Sequence, residues 1–285
     1  MHQLKKHKFF ILILVALFLL DGFLWIKIFT ASDKFGSEIY FFDVGQGDSA
    51  LVLTETGNRV LIDGGREGSG VLEELNKVLG KDRYIDLVVM THGDFDHYGG
   101  FLDILDSYEV GAFVSSGRAE GKDSYHLVID KLAQKDVKYI SLAEGDSILF
   151  GREIFSILSP SSAEILSEDL NDTSLVMLFE NDAFSVLFTG DAGAATEQRL
   201  AREYDLSADV LKVGHHGSKT SSDLGFLQEL LPLASVISVG ENSYGHPNEE
   251  VMANLLSVSQ VFRTDEEGSI KVFSEEGNLL FEKLE

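Results

Sequence analysis

From Glu38 onward, short apolar runs rich in β-branched residues alternate with segments of helical periodicity. Ile39 to Val44, Ser49 to Thr54 and Arg59 to Ile62 read as strands, separated by Gly-Asp and Thr-Gly-Asn turns. Residues 69–79 place Val71, Leu72, Leu75, Val78 and Leu79 on one stripe, which predicts a helix ending at Gly80. Ile85 to Met90 reads as a strand that runs directly into Thr91-His92; a helix follows near Gly99, a strand at 110–115 and a helix at 125–135. Strands dominate between 137 and 190, at 137–141, 147–150, 154–158, 174–180 and 184–189. Helices at 192–204, 222–230 and 247–256 then alternate with strands at 209–213 and 235–239, before a closing pair at 260–264 and 269–274. No Pro/Gly linker or low-complexity tract interrupts this pattern. It reads as one domain over residues 36–285, with two strand-rich halves that are each followed by helices.

The first 35 residues follow a different rule. His2, Lys5, Lys6, His7 and Lys8 precede an uninterrupted apolar run from Phe9 to Leu20, then Asp21-Gly22 and a second apolar patch to Phe29 broken by Lys27. A basic flank before an apolar core has the form of a signal peptide, with Ala31-Ser32 the candidate cleavage site. Residues 9–29 would alternatively reach about 30 Å as an uncleaved membrane anchor. Both readings place residues from about 36 onward outside the cytoplasm, membrane-anchored or secreted.

Composition narrows the chemistry. The 285 residues are 44% hydrophobic and 25% charged, which suits a folded domain and excludes wholesale disorder. The 47 acidic residues outnumber 23 basic ones, for a formal charge of -24, and this opposes wrapping of nucleic acid by a broad basic surface. Any phosphate chemistry therefore needs local compensation, for example by metal ions. The absence of cysteine removes disulfides, thiolate ligands and a cysteine nucleophile.

The densest chemical signal is Thr91-His92-Gly93-Asp94-Phe95-Asp96-His97, directly after a predicted strand. Two His and two Asp within six residues offer nitrogen and oxygen ligands suited to Zn²⁺, Mn²⁺ or Fe²⁺. The spacing sets Asp94 on the side of His92, while Asp96 and His97 face a neighbouring ion. Other strand ends carry Asp191, His215-His216 and His246. Each alone is explained by a capping carboxylate or a surface imidazole; their shared position at strand ends predicts that they converge.

These segments resemble the metallo-β-lactamase superfamily, and within it the hydrolase domain of the ComEC/Rec2 competence proteins and their free-standing relatives. The resemblance covers residues 38 to 275. It rests on Phe41-Phe42-Asp43-Val44-Gly45-Gln46-Gly47-Asp48-Ser49, Leu61-Ile62-Asp63-Gly64-Gly65, His92-x-Asp94-x-Asp96-His97, Asn171-Asp172-Thr173-Ser174, Asp191, His215-His216-Gly217-Ser218-Lys219 and Tyr244-Gly245-His246-Pro247. It implies an α+β fold, a four-layer αββα sandwich with the metal site along one edge of its two sheets. It also implies two divalent ions, Mn²⁺ or Zn²⁺, held by His92, Asp94, Asp96, His97, bridging Asp191 and His215. The histidine of the superfamily's third motif has no counterpart at a strand end before Asp191, and His126 falls inside a predicted helix.

On that resemblance, a water acidified by the ions and oriented by Asp96 or Asp191 would attack phosphorus or a carbonyl carbon. His216, His246 and Lys219 would contact phosphate or protonate the leaving oxygen, with support of His215 as the other role for His216. Asp43, Gln46 and Asp48 would order the first loop, and Asp63 would support a ligand from behind. The leading expectation is a phosphodiesterase or DNase. The alternatives are an envelope phosphodiesterase acting on teichoic-acid or phospholipid head groups, and a non-catalytic metal-binding interaction module. The expected partners are a phosphodiester substrate, with DNA as the candidate, and a membrane through the N-terminal segment; no protein partner is expected.

Overall fold

The computed structural model describes residues 13–25, 36–118 and 121–284. The chain divides into two compact units, Met1–Gly36 and Ser37–Glu285. In the first, residues 13–25 are helical. Among the described residues, no helix is long and apolar enough to cross a membrane. The basic flank, both ends of the 9–29 run and Ala31-Ser32 lie outside the described residues.

The second unit begins with β1 (Glu38–Phe41), β2 (Ala50–Leu53), β3 (Arg59–Ile62), α1 (Val71–Leu79) and β4 (Tyr84–Val89). Helices α2 (Phe95–Tyr98) and α3 (Phe101–Ser107), strand β5 (Glu109–Ser115), α4 (Asp123–Gln134) and β6 (Lys138–Ser141) complete its first half. The second half comprises β7 (Ser147–Phe150), β8 (Glu153–Ser159), β9 (Val176–Glu180), β10 (Ser185–Phe188), α5 (Ala194–Glu203), β11 (Val210–Lys212) and α6 (Leu224–Leu230). It continues through β12 (Ala234–Ile237), α7 (Glu249–Val258), β13 (Gln260–Arg263) and α8 (Thr264–Glu267), and ends in the hairpin β14 (Ile270–Glu275) and β15 (Asn278–Lys283).

The strands form two sheets, ordered β15-β14-β1-β2-β3-β4-β5-β6 and β13-β12-β11-β10-β9-β8-β7. Both faces of each sheet are covered, and the sequence shows why: successive strand residues enter different cores. Ile39, Phe41, Val60, Ile62 and Val89 meet Phe179, Val186, Phe188, Val210 and Val236 between the sheets. Their neighbours Tyr40, Leu61 and Val88 pack under α1, α3 and α4, and Leu187, Leu211 and Ile237 pack under α5, α6 and α7. A period of two with both faces apolar produces near-continuous hydrophobic runs instead of alternation with polar residues. The result is the expected αββα sandwich.

The closing pair read from the sequence is not a pair. β13 adds in parallel to β12 in the second sheet, whereas β14 crosses to the first sheet, between β1 and β15. Thr264 makes this crossing possible, because its buried hydroxyl donates to Val239 O (3.0 Å) and accepts from Val239 N–H (3.0 Å) while the chain leaves the sheet.

Candidate metal centre

Six strands deliver the candidate residues to one edge. The loop after β1 carries Asp48, β3 ends in Asp63, and β4 runs into Thr91-His92. In the other sheet β10 leads to Asp191, β11 to His215 and His216, and β12 to the loop holding His246. Parallel neighbours β3–β4 and β10–β11–β12 end on the same side, so residues far apart in sequence meet there.

The His92–His97 segment is built as a turn of helix. Asp94 is its extended N-terminal residue, and α2 places Asp96 and His97 on the following turn. Gly47, in a left-handed backbone at φ 145°, packs against this turn so closely that a Cβ would sit 2.5 Å from the Asp96 carbonyl. Asp48 N–H donates to that same carbonyl (3.2 Å), which ties the first loop to the ligand turn.

His92 Nε2 lies 3.6 Å from Asp94 Oδ2 and 3.9 Å from Asp191 Oδ2. His97 Nε2 lies 3.2 Å from Asp191 Oδ1. His216 Nε2 lies 3.5 Å from Asp96 Oδ2 and 3.8 Å from Asp191 Oδ2. Asp191 is therefore the meeting point of three buried imidazoles. His215 Nε2 also approaches it, at 3.9 Å, but from the partly exposed side.

Each inward imidazole is oriented from behind. Asp63 accepts from His97 Nδ1 (2.8 Å) and is itself fixed by the Thr91 N–H (2.8 Å) and hydroxyl (2.7 Å). His216 Nδ1 donates to the Ser238 carbonyl (2.9 Å), and His92 Nδ1 faces the Thr91 hydroxyl (3.1 Å). With the Nδ1 side occupied, the Nε2 atoms point to the centre. Burial opposes the charge on His97, but Asp191 and Asp63 outweigh it and raise its pKa well above the usual imidazole range. The same opposition, won by Asp191, Asp48 and Asp96, raises His216 to about 10. Asp191, despite burial, is held far below the ordinary carboxylate range by His97 and His216.

A divalent-metal pair fits these residues. The Nε2 atoms of His92, His97 and His216 and Oδ1 of Asp191 are buried without a hydrogen-bond partner, an arrangement that is costly unless something else engages them. His92, His97 and Asp191 form one group whose ligand atoms all lie within 4.8 Å of one another, and Asp96, His97 and His216 form another. Two further groups include Asp48. Its carboxylate already receives the buried Lys212 ammonium at 2.7 Å, and Lys212 also donates to Val213 O (3.0 Å). Lys212 offsets the Asp48 charge, while Asp94, Asp96 and Asp191 surround the inward imidazoles and Asp63 backs His97.

Of the residues singled out in the sequence, His92, Asp94, Asp96, His97, Asp191, His215, His216 and His246 come together. His246 and His215 stack edge to face at 5.5 Å, and both line an open cleft of about 350 Å³ with Asp94, Asp96, Asp191 and His216. Two placements change. His216, not His215, is the member of the Asp96–His97 group. The reason is local backbone: both histidines are left-handed (φ 49° and 53°), which turns the second ring inward and leaves the first at the rim. Lys219 does not reach the site. Beyond Gly217 it becomes exposed and lines a separate cavity of about 240 Å³ with Asn248 and Glu250. His126 is exposed on α4.

Sequence reading missed Lys212, whose signal is a single lysine ending an otherwise apolar strand, and gave Asn171 no separate role. Asn171 Nδ2 lies 3.5 Å from His215 Nδ1, and its Oδ1 is buried without a partner.

Two apolar-faced sheets with a His/Asp cluster at their common edge define a metal-dependent hydrolase fold, and residues 42–241 match the metallo-beta-lactamase superfamily. The chain belongs to that superfamily. Over 254 residues, 82% of this chain, it is 33% identical to ComE operon protein 3 of Bacillus subtilis, and over 236 residues, 81% of this chain, 33% identical to Recombination protein 2 of Haemophilus influenzae. It spans about a third of the length of these relatives, 32% and 28% respectively. Its fold is similar to that of the metallo-beta-lactamase fold protein YhfI from Bacillus subtilis, with a TM-score of 0.53 at 12% identity, covering 86% of this chain and 99% of that one.

Proposed function

We propose that the chain is a phosphodiesterase with two divalent ions, Mn²⁺ or Zn²⁺, and that its leading substrate is DNA. The observation that carries this reading is the convergence of three partnerless imidazole Nε2 atoms on Asp191. His92, Asp94 and Asp191 would hold one ion, and Asp96, His97, Asp191 and His216 the other, with His215 bordering both the ions and the cleft. Ions bound there would supply Lewis acidity, lowering the pKa of a water and neutralising charge on a phosphoryl oxygen.

The protein's own groups do the rest. Asp63 and Ser238 keep the ligand rings aimed inward, and Asp191 presents its buried carboxylate to all three of them at the centre. Asp96, at the cleft wall, would orient the attacking water. Burial and the neighbouring His215 and His216 hold His246 below the usual imidazole range, so it meets substrate as a neutral N–H donor.

A relative named Recombination protein 2 lies on the side of nucleic acid. The basic-then-apolar N-terminus supports an extracytoplasmic, membrane-anchored or secreted location. The net charge of -24 favours a second reading, an envelope phosphodiesterase acting on teichoic-acid or phospholipid head groups. The test uses the full chain, stripped by chelator and restored with Mn²⁺ or Zn²⁺, on bis-p-nitrophenyl phosphate, linear DNA and glycerophosphocholine. Restored turnover of both the small diester and DNA is expected. Asp96→Ala should lose more than about 100-fold, beyond the 10–100-fold typical of groups that only orient ligands. Turnover of glycerophosphocholine without DNA moves the assignment to the envelope reading, and inactivity on all three with metal bound overturns both.

A further inference from the structure

The mouth of the cleft differs from the rest of this acidic molecule. Two cations and two aromatic rings, Arg66, Lys122, Phe95 and Tyr244, line it around the His/Asp cluster. Arg66 Nη2 stands 3.9 Å from Asp96 Oδ2, and Lys122 Nζ stands 3.6 Å from Asp94 Oδ1. Both separations exceed the 2.7–2.9 Å of a tight charge-assisted hydrogen bond. Arg66 therefore stands on the Asp96 side of the mouth and Lys122 on the Asp94 side.

Tyr244 is the more unusual feature. Its side chain is 67% exposed, yet the loop beneath it is tightly built. Asn242 Oδ1 accepts from the N–H groups of Tyr244, Gly245 and His246, each at 3.1 Å, and Asn242 Nδ2 donates to the carbonyls of Gly240 and His246, each at 2.8 Å. A ring held out to solvent on a fixed loop is preorganised for contact, since little ordering remains to be done on binding. Its centroid lies 5.8 Å from that of His246, at a tilt of 31°. Phe95, 38% exposed, packs edge-on against Tyr98 (5.6 Å) at the same mouth.

We propose that Arg66 and Lys122 hold phosphates flanking the scissile one and that Tyr244, aided by Phe95, stacks on an unpaired base, so that the site reads a single-stranded nucleic acid chain. This rests on the phosphodiesterase reading and assigns the residues that give it substrate preference. Cations beside aromatic faces are the pairing that single strands require: charge follows the backbone, and stacking on every base is worth roughly 1–3 kcal/mol. A polyol-phosphate polymer would use the cations but has nothing to stack.

The test separates the two contributions by fluorescence anisotropy of the full chain with Ca²⁺, using a labelled octathymidylate and an abasic deoxyribose-phosphate octamer of equal charge. The wild type should bind octathymidylate at least about 5-fold more tightly than the abasic chain, equivalent to one stacked base. Tyr244→Ala should abolish that preference, and Tyr244→Phe should keep it. Arg66→Gln and Lys122→Gln should each weaken both octamers and lower the slope of log affinity against log salt by about 0.7, one released counterion on a single strand. Arg66→Lys should restore the slope. Equal affinity for the two octamers in the wild type overturns the stacking assignment, and an unchanged salt slope in both glutamine variants overturns the cation assignment. Hydrolysis of bis-p-nitrophenyl phosphate, measured in parallel, reports separately on the phosphodiesterase reading: its loss in the wild type would sink that reading whatever the octamers do.

Discussion

Lys212 and Asp48 show how a single pair shapes the centre. Both side chains are about 5% exposed and meet at 2.7 Å. Burial pushes the Asp48 carboxyl up, but Lys212 and the nearby His216 more than reverse this and hold it below the usual range. Removing only the cation leaves a buried charge without its partner. Lys212→Met should lower the stability of the chelated protein by about 3–5 kcal/mol in urea denaturation, and the double variant with Asp48→Asn should recover part of that. A loss below about 1 kcal/mol in the single variant would show that the pair is not holding the edge together. His215 and His216 give a second residue-scale test. His216→Ala should weaken metal binding at least tenfold more than His215→Ala by isothermal titration, and the opposite order would restore His215 to the inner position. Strand ends made His92, Asp94, Asp96, His97 and Asp191 legible in the sequence. Which of two adjacent histidines points inward was not, because it depends on left-handed backbone that no hydrophobic pattern encodes.

The loop after β11 is held by α5. Glu197, buried on that helix, accepts from the Ser222 (2.8 Å) and Asp223 (3.1 Å) N–H groups, so the segment following His216 and Gly217 is anchored to an element outside the site. Burial pushes Glu197 up to about 7, against the two backbone N–H donors, with the Asp223 carboxylate adding to the rise. The folded protein thus keeps a proton that the unfolded chain releases near pH 4.5. Stability should fall as pH rises from about 4.5 to 7, by about 3 kcal/mol from this group. Glu197→Gln should flatten that part of the stability curve in urea titrations at pH 5 and 7.5, and an unchanged difference between the two pH values would rule out Glu197 as its source. At this scale β3 and β7 were read to the residue. β15 was missed: its Leu279, Leu280 and Phe281 are only half-buried, and neither alternation nor a fully apolar run marks them. The supposed pairing of β13 with β14 failed for another reason, since adjacency in sequence does not say that Thr264 sends the chain to the other sheet.

Among the described residues of the unit Ser37–Glu285, one core between the sheets and one beneath each helical layer leave an edge where six strands deliver the candidate residues. The chain is acidic overall, while the cations lining the cleft mouth sit beside the carboxylates of Asp94 and Asp96. Fold class was legible because runs buried on both faces, interleaved with amphipathic helices, admit few layer architectures. Substrate preference was not, because Arg66, Lys122 and Tyr244 come from three separate loops whose meeting depends on the sheet order. The central claim is a two-ion centre organised around Asp191. The most direct measurement is metal stoichiometry of the chelated and reloaded full chain, by equilibrium dialysis against Mn²⁺ and Zn²⁺ with elemental analysis, for wild type and Asp191→Asn. The expected result is two ions per chain in the wild type and weakened binding of both in the variant. A single ion per chain, or two ions whose affinities Asp191→Asn leaves unchanged, would contradict the account.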